Sequence, residues 1–189
     1  MEITRCWWCG SDPLYVDYHD HEWGVPLHDD QRLFEMLILE GFQAGLSWIT
    51  ILRKRENFRK AFCKFNANKI ARFGSSEVAR LMQDQGIVRN RLKIESAVVN
   101  AKAFLAVQER YGSFDSYIWQ FTEGRTLRNR RVTRATILAT SKESDAMSKD
   151  LKKRGFKFVG STICYAHMQA TGMVDDHVWE CFRSVRARR

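Results

Sequence analysis

Cysteine and histidine residues stand near both ends of the 189-residue sequence, where they could bind a metal ion. His177 and Cys181 are four residues apart, and on a helix this spacing places both side chains on one face. Cys6 and His19 would complete a tetrahedral Cys2His2 set, a type of site that binds Zn²⁺ with no open position and is therefore structural. Two alternatives stay open: a buried cysteine with a capping histidine, or Cys9 in place of His19, because Cys6 and Cys9 form a C-x-x-C motif.

A carboxylate, Glu40, interrupts the apolar stripe of the segment LILEGFQAGLSWI. It shares a helix face with leucines one and two turns earlier, whereas Glu35 lies well round the helix. A buried carboxylate is costly unless it is hydrogen-bonded or paired, so such a residue commonly satisfies a helix end or an arginine. Because Gly41 and Gly45 would let a backbone or a ligand come close, and a tryptophan follows, the sequence favours a carboxylate that faces a pocket.

Aromatic residues are dense near the N-terminus. They share this stretch with several aspartates and glutamates, which is unusual for a plain hydrophobic core. The pattern predicts either a small apolar core around the metal or a box that stacks a flat ring. The aromatic residues concerned are Trp7, Trp8, Tyr15, Tyr18 and Trp23, with Trp48 further along the chain.

A glycine-containing turn separates two helix-forming segments in KKRGFKFVGSTICY, residues 152–165. One helix is predicted to end at the first glycine and the next to begin directly after the second, which is the pattern of a helix-hairpin-helix. Free backbone N–H groups of such a turn and of the following helix N-terminus can bind a DNA phosphate without reading base sequence. The residues predicted to contact DNA here are Gly155, Phe158, Gly160, Ser161 and Thr162.

The chain is basic, with 31 Lys and Arg against 22 Asp and Glu residues and a formal net charge of +9. This excess favours a polyanionic partner, of which nucleic acid is the common case. Arginines are concentrated in a run from Arg125 to Arg134 and in a C-terminal segment from Arg183 to Arg189. Either group could instead be a solvated surface or a frayed tail, so the sequence leaves their contact with DNA open.

The length and an apolar content of 44% suit one globular domain. No stretch approaches the roughly 20 apolar residues that a membrane span requires, and the N-terminus lacks the pattern of a signal peptide. Five cysteines are too few and odd in number for a disulfide framework. We therefore expect a cytoplasmic, monomeric protein with no membrane partner.

Helical periodicity dominates the chain, and no sustained alternation typical of half-buried strands occurs. Thr140, with Glu143 three residues later, resembles a capping box. The sequence thus predicts an all-α fold whose two ends pack together. The predicted helices are 31–46, 53–65, 75–82, 90–110, 140–153 and 161–171.

These motifs occur together in one known family. The chain resembles the bacterial 3-methyladenine DNA glycosylase I family in the segments DPLYVDYHDHEWGVP (12–26), LFEMLILEGFQAGLSWITILRKRENFRKAF (33–62), GIVRNRLKI (86–94), LKKRGFKFVGSTICY (151–165) and VDDHV (174–178). The resemblance covers nearly the whole chain, except the Arg-rich 122–140 segment and the C-terminal tail.

The resemblance implies the helix-hairpin-helix DNA glycosylase fold as a single domain over 1–189, with two helical lobes and the hairpin motif at about 143–171. It also implies one structural Zn²⁺ per chain, which joins the terminal segments 1–28 and 173–183. The family's ligands to this ion correspond to Cys6, His19, His177 and Cys181.

The family's base pocket can be carried over to this sequence as well. Glu40 and Tyr18 correspond to the residues that hydrogen-bond the adenine edge, and Trp48 corresponds to the tryptophan that stacks on the ring. Leu46 lies where the family inserts an apolar plug into the duplex. The matching aromatic wall is formed by Trp8, Tyr15 and Trp23.

The implied activity is excision of 3-methyladenine from alkylated double-stranded DNA by base flipping and hydrolysis of the N-glycosidic bond, with the free base as product. A base methylated at N3 is cationic and leaves readily, so Glu40, the expected catalytic residue, stabilises the cation and need not protonate it. Strand-cleaving relatives carry a lysine where this chain has Thr162, so no lyase step is expected. Asp175 matches an aspartate of those relatives, but we expect it to orient His177.

Two other classes of protein fit part of this pattern. A zinc-stabilised DNA-binding module without catalysis would keep the metal ligands and the basic surface, yet would gain nothing from a carboxylate inside an aromatic box. A zinc hydrolase would need three protein ligands and an open coordination position.

Overall fold

The computed structural model describes residues 3–129 and 132–184. Within these residues the chain is mostly helical, which confirms the all-α prediction. The only strands in the described part are β1 (Leu127–Arg128) and β2 (Val174–Asp175), which pair in parallel. The α-helices are α1 (Pro13–His21), α2 (Asp30–Gln43), α3 (Trp48–Ala61), α4 (Ala67–Ile70), α5 (Ser75–Gln83), α6 (Arg91–Tyr111), α7 (Phe114–Trp119), α8 (Lys142–Lys153) and α9 (Ser161–Ala170).

Helix α2 is the central element of the core. It begins after Asp29, whose carboxylate accepts a hydrogen bond from the Arg32 backbone N–H at 2.8 Å. Every residue from Leu33 to Phe42 is buried, as expected for a helix that is apolar nearly all round. Helices α3, α6, α7 and α9 pack around it, and each leucine or phenylalanine that they bury contributes roughly 1.5–3 kcal/mol.

Three predicted helix ends needed correction, at two turns. The helix predicted at 31–46 ends at Gln43, because Ala44 leaves the helical region and Gly45 has a positive φ of 80°. The next helix begins at Trp48, earlier than predicted, and ends at Ala61. It cannot reach residue 65, because residues 63–65 all have positive φ values.

The capping box before α8 involves other residues than predicted. The Ser141 hydroxyl accepts a hydrogen bond from the Ser144 backbone N–H at 3.2 Å, and the Ser144 hydroxyl accepts one from the Ser141 N–H at 2.8 Å. The prediction of Thr140 with Glu143 was therefore wrong by one residue. Serine serves at both positions because its short hydroxyl reaches the neighbouring backbone.

Helices α8 and α9 pack against each other and are joined by residues 154–160. Gly155 has a φ of 91°, which ends the first helix in the left-handed region. Asn100 of α6 holds this connection, since its side chain accepts from the Lys157 N–H at 2.7 Å and donates to the Lys157 carbonyl at 3.0 Å. A Cβ atom on Gly41 of α2 would lie 3.3 Å from Phe158 Cβ, so Gly41 permits the close approach of the connection.

The chain ends come together as predicted. The Phe182 N–H donates to the Thr4 carbonyl at 2.9 Å, which places the described C-terminal residues beside the N-terminal segment. A membrane-spanning helix is absent from the described ranges: none there is long and apolar enough.

Candidate functional site

A cavity of about 150 Å³ opens between the N-terminal segment, α1, the end of α2, the start of α3, and α9. Its wall is mainly aromatic, with one acidic residue and two amides. The lining residues are Trp8, Tyr15, Tyr18, Trp23, Glu40, Gln43, Trp48, Ile137, Ala166 and Gln169.

The acidic residue in this wall is Glu40, whose side chain is 3% exposed. Among the described residues it has no ion-pair partner, and its Oε2 atom accepts no hydrogen bond. Burial raises the pKa of Glu40 to about 8. The carboxyl group is thus held without a countercharge at the edge of a cavity, which is the arrangement that the sequence favoured.

A second carboxylate of the same helix has the opposite environment. Glu35 is also buried, although the sequence predicted that it lies on a different face of the helix from the apolar stripe. It accepts hydrogen bonds from Arg55 Nε at 2.6 Å and from Arg59 Nη2 at 2.8 Å. Of the two buried carboxylates of α2, Glu35 is compensated and Glu40 is not, and only Glu40 lines the cavity.

Aromatic rings contact one another around the cavity. The Trp8 ring centre lies 5.1 Å from that of Tyr15 and 4.9 Å from that of Trp23, and Tyr18 lies 5.5 Å from Trp48. Burial and the neighbouring Glu40 hold the pKa of Tyr18 well above its usual value, so its hydroxyl remains a hydrogen-bond donor. Electron-rich rings with one carboxyl group form a suitable box for a flat cation.

The aromatic cluster also borders the cysteines and histidines that the sequence predicts as metal ligands. The Trp23 ring lies 4.7 Å from the His177 ring, and the Trp8 ring lies 5.2 Å from the His19 ring. The two interpretations of the cluster are therefore compatible, because the same rings cover the cysteine–histidine group on one side and line the cavity on the other. Trp7 does not line the cavity; it is partly exposed, with the Arg134 guanidinium 5.9 Å from its ring centre.

Cys6, His19, His177 and Cys181 are all buried, and their donor atoms lie within 4.8 Å of one another. Cys181 Sγ lies 3.5 Å from His19 Nε2 and 3.6 Å from His177 Nδ1. This group could hold a metal ion. The Cys9 thiol instead donates to the Cys6 carbonyl at 3.1 Å and lies outside the group.

Residues next to this group fix its histidines. His19 Nδ1 lies 2.7 Å from Asp20 Oδ1, so its Nε2 atom faces the cluster. His177 turns its Nδ1 atom toward the cluster, while its backbone N–H donates to Asp175 Oδ1 at 3.3 Å. Both imidazoles thus present one nitrogen to the cluster, which suits metal binding.

Leu46 lies in the turn between α2 and α3 and is 42% exposed, unlike the leucines of the core. The Lys93 ammonium supports this turn by donating to the Phe42 carbonyl at 2.9 Å and to the Ala44 carbonyl at 2.6 Å. A Cβ atom on Gly45 would meet nothing within 4 Å, so this glycine supplies a positive φ and not the close approach that the sequence suggested. The turn presents an apolar side chain on a fixed backbone.

The positions around the hairpin are also described. Ser161 is the first residue of α9, and its hydroxyl lies 2.8 Å from the Ser144 hydroxyl and donates to Asp145 Oδ1 at 2.5 Å. Phe158 has a positive φ of 54°. Thr162 is exposed on the first turn of α9, and Gly160 precedes that turn.

The arginine clusters are only partly described. Arg125 is exposed and donates to Glu123 Oε2 at 2.7 Å, and Arg128 is exposed in β1. Arg130, Arg131 and the C-terminal arginines beyond residue 184 lie outside the described residues. The sequence leaves their contact with DNA open, and the described residues do not test it.

Four residues of the cavity wall were not predicted from the sequence: Gln43, Ile137, Ala166 and Gln169. Ile137 belongs to the 122–140 segment, which lies outside the motifs that carry the resemblance seen in the sequence. The sequence offered one signal for Gln43, which is a polar residue within the largely apolar run LILEGFQAGLSWI.

Comparison with known proteins gives consistent matches. The model of the methyladenine glycosylase family matches residues 8–184. DNA-3-methyladenine glycosylase 1 of Escherichia coli is 50% identical over 179 residues, which are 95% of this chain and 96% of that protein. DNA-3-methyladenine glycosylase of Haemophilus influenzae is 47% identical over 178 residues, which are 94% of this chain and 96% of that protein.

Solved structures match along the same length. A crystal structure of 3-methyladenine DNA glycosylase I has a TM-score of 0.94 at 49% identity and covers 96% of this chain and 100% of its own. A crystal structure of a 3-methyladenine DNA glycosylase I variant in complex with 3-methyladenine has a TM-score of 0.91 at 36% identity and covers 95% of this chain and 96% of its own.

Proposed function

Because the chain belongs to the methyladenine glycosylase family, we propose that it excises 3-methyladenine from alkylated double-stranded DNA. One observation carries this proposal beyond family membership: Glu40 is buried without a countercharge at the edge of an aromatic cavity. A cationic base would supply the missing charge. An uncompensated carboxyl group has no comparable use in a module that only binds the DNA backbone.

The proposed reaction is hydrolysis of the glycosidic bond. The flipped base stacks on Trp48 among the rings of Trp8, Tyr15 and Trp23, while Tyr18 and Glu40 hydrogen-bond its edge. Burial favours the protonated form of Glu40 in the free protein, and a cation in the cavity favours the carboxylate. The bond weakens because the departing base is already cationic, so water attacks the anomeric carbon without prior protonation of the base.

DNA contacts are proposed for two exposed parts of the molecule. Leu46 would fill the gap that the flipped nucleotide leaves, which offsets part of the few kcal/mol that flipping costs. Backbone N–H groups at the hairpin and at the start of α9, around Gly155, Gly160 and Ser161, would hold a phosphate. Thr162 stands where a lyase would need an amine, so the enzyme is proposed to leave an abasic site without cutting the strand.

We propose that the cysteine–histidine group holds one structural Zn²⁺. Tetrahedral sites with bonds of about 2.0–2.3 Å have donor–donor separations of about 3.3–3.8 Å. Three of the donor pairs lie 3.5–3.6 Å apart. Two thiolates and two imidazoles suit zinc, and four protein ligands leave no position for a reactive water, which argues against a zinc hydrolase. The ion would join the segments 1–28 and 173–183 within one domain.

The proposed substrate also bears on the cellular compartment and the oligomeric state. A repair enzyme of bacterial DNA acts in the cytoplasm, and a monomer is sufficient because every proposed base contact comes from one chain. Asp175 contacts the His177 backbone, which supports a role in orienting this histidine more than one in activating water.

The decisive experiment is incubation with methylated duplex DNA. Free 3-methyladenine and abasic sites in equal amounts, with intact strands before alkaline or heat treatment, would support a monofunctional glycosylase. Tight binding to DNA without release of any base would support a non-catalytic DNA-binding module and refute the proposal. The Glu40→Gln variant serves as a matched control, because it keeps the shape of the side chain and removes its ability to become anionic.

A further inference from the structure

Gln169 is a polar residue of the cavity wall to which no role has yet been given. It lies near the end of α9, and its backbone carbonyl accepts a hydrogen bond from the Gly24 N–H at 3.0 Å. Its side-chain Nε2 donates to Asp176 Oδ2 at 2.7 Å. Both the backbone and the side chain of this glutamine are therefore held in place.

Asp176 is 1% exposed and is surrounded by neutral donors. Besides Gln169, its Oδ2 atom accepts from the Tyr165 hydroxyl at 2.7 Å, and its Oδ1 atom accepts from Asn129 Nδ2 at 2.6 Å. A carboxylate can only accept hydrogen bonds. The amide of Gln169 must therefore turn its nitrogen toward Asp176, and no group among the described residues donates to its oxygen, which stays free to accept a hydrogen bond from a ligand in the cavity.

We propose that Gln169 determines which purine the cavity accepts, and that Asp176 is the residue that positions it. The fixed Oε1 atom accepts a hydrogen bond from the exocyclic amine of a 6-aminopurine. A 6-oxopurine methylated at the same ring nitrogen presents a carbonyl oxygen there, and two acceptors facing each other in a buried site leave both unpaired. This proposal rests on the proposed glycosylase function and adds discrimination between amino and oxo bases.

The experiment uses duplex DNA that carries both 3-methyladenine and 3-methylguanine, with the release rate of each base measured under single-turnover conditions. Gln169→Met keeps the length of the side chain but removes the acceptor. We expect 3-methyladenine release to fall about tenfold and 3-methylguanine release to change little, because the exocyclic amine of 3-methyladenine loses its acceptor in a buried site. The ratio of the two rates should therefore fall about tenfold.

Asp176→Asn tests the positioning role. The new side-chain amide can donate to Gln169 Oε1, so the glutamine amide can reverse and turn its NH2 group toward the cavity. We expect the rate ratio to shift further toward 3-methylguanine than it does in Gln169→Met. Tyr165→Phe is the control: it removes another hydrogen bond from Asp176 and leaves the glutamine orientation unchanged, so it should lower stability and preserve the ratio.

The outcomes separate this inference from the proposed function. If the unmodified protein releases neither base, the glycosylase proposal fails. If it releases 3-methyladenine and Gln169→Met keeps the original ratio, the specificity role of Gln169 is overturned whatever Asp176→Asn shows. If Asp176→Asn folds and leaves the ratio unchanged while Gln169→Met lowers it, the positioning role of Asp176 is overturned.

Discussion

Replacing Glu40 with glutamine should make the free protein more stable, and the gain should grow with pH. In the folded protein, burial without a countercharge raises the pKa of this carboxyl group from 4.5 to about 8. An acid whose folded pKa is raised destabilises the fold when it ionises. The destabilisation is absent below about pH 4.5, increases as the pH rises toward 8, and is constant above that value.

The size of the effect follows from this shift in pKa. A difference of one pKa unit between the folded and unfolded states corresponds to about 1.36 kcal/mol. The ionised Glu40 therefore lowers the free energy of unfolding by roughly 5 kcal/mol at pH 9. At pH 5 most of this penalty has not yet developed. We therefore expect Glu40→Gln to raise the free energy of unfolding by about 4 kcal/mol more at pH 9 than at pH 5.

Urea-induced unfolding of both proteins at pH 5 and pH 9 measures this difference. Glu35→Gln is the matched control, since Glu35 lies on the same helix, is equally buried, and pairs with Arg55 and Arg59. Breaking that pairing should destabilise the protein by about 3 kcal/mol. The reasoning about the cavity would be refuted if Glu40→Gln were destabilising at pH 9, or if its effect were the same at both pH values.

Four other outcomes can be measured directly. Cys181→Ser should lose the proposed Zn²⁺ and lower the free energy of unfolding by more than about 3 kcal/mol. Cys9→Ser is the control and should keep the metal. Full metal retention by Cys181→Ser would indicate that Cys9 is a ligand. If the hairpin and its surroundings neutralise about three phosphates, raising the salt concentration from about 50 to about 200 mM should weaken DNA binding about 40-fold. Fluorescence anisotropy measures this affinity. An affinity that does not change with salt would contradict the phosphate contacts. Leu46→Ala should change the free energy of unfolding by less than about 0.5 kcal/mol. It should slow excision from duplex DNA about tenfold and excision from single-stranded DNA by less. Equal losses on both substrates would argue against Leu46 filling the gap that the flipped nucleotide leaves. Neither ring nitrogen of the buried His167 has a hydrogen-bond partner within the described residues, and burial lowers its pKa to about 4. His167→Leu should therefore raise thermal stability, and more at pH 4.5 than at pH 8, because at pH 4.5 the unfolded chain binds a proton at this histidine and the folded protein largely does not. A larger gain at pH 8 would show that the histidine is not buried in this way.

Helices with a clear apolar face, including the nine-residue α5, were predictable from the sequence, and short elements without such a face were not. Helix α6 was predicted within one residue at each end, because its apolar residues repeat over five turns. Helix α1 was missed although it carries Tyr18 and His19, since its nine residues have no clear apolar face. Its start is encoded locally all the same: Asp12 accepts from two backbone N–H groups, and Pro13 occupies the first helical position.

The ligand set and the cavity depend on tertiary structure. Spacing identified His177 and Cys181 as a half-site but could not choose between His19 and Cys9. The choice is made by the backbone around Cys9, which turns this thiol toward the Cys6 carbonyl. Gln169 was missed for a similar reason, because only the packing of α9 against the N-terminal segments brings it to the cavity.

The difference between Glu35 and Glu40 follows from the charges along α3, which packs against α2. The sequence did not locate the turn at 44–47, so the two helices could not be paired from it. In the structure, Glu35 pairs with Arg55 and Arg59, which lie in the second half of α3.

Glu40 lies closer to the turn, and the first five residues of α3, 48–52, carry no charge. Ile51, one of these residues, is apolar and fully buried. A buried carboxylate without an ion-pair partner must either remain protonated or find its countercharge in a ligand. The charge pattern along α3 thus separates the structural carboxylate from the one that lines the cavity.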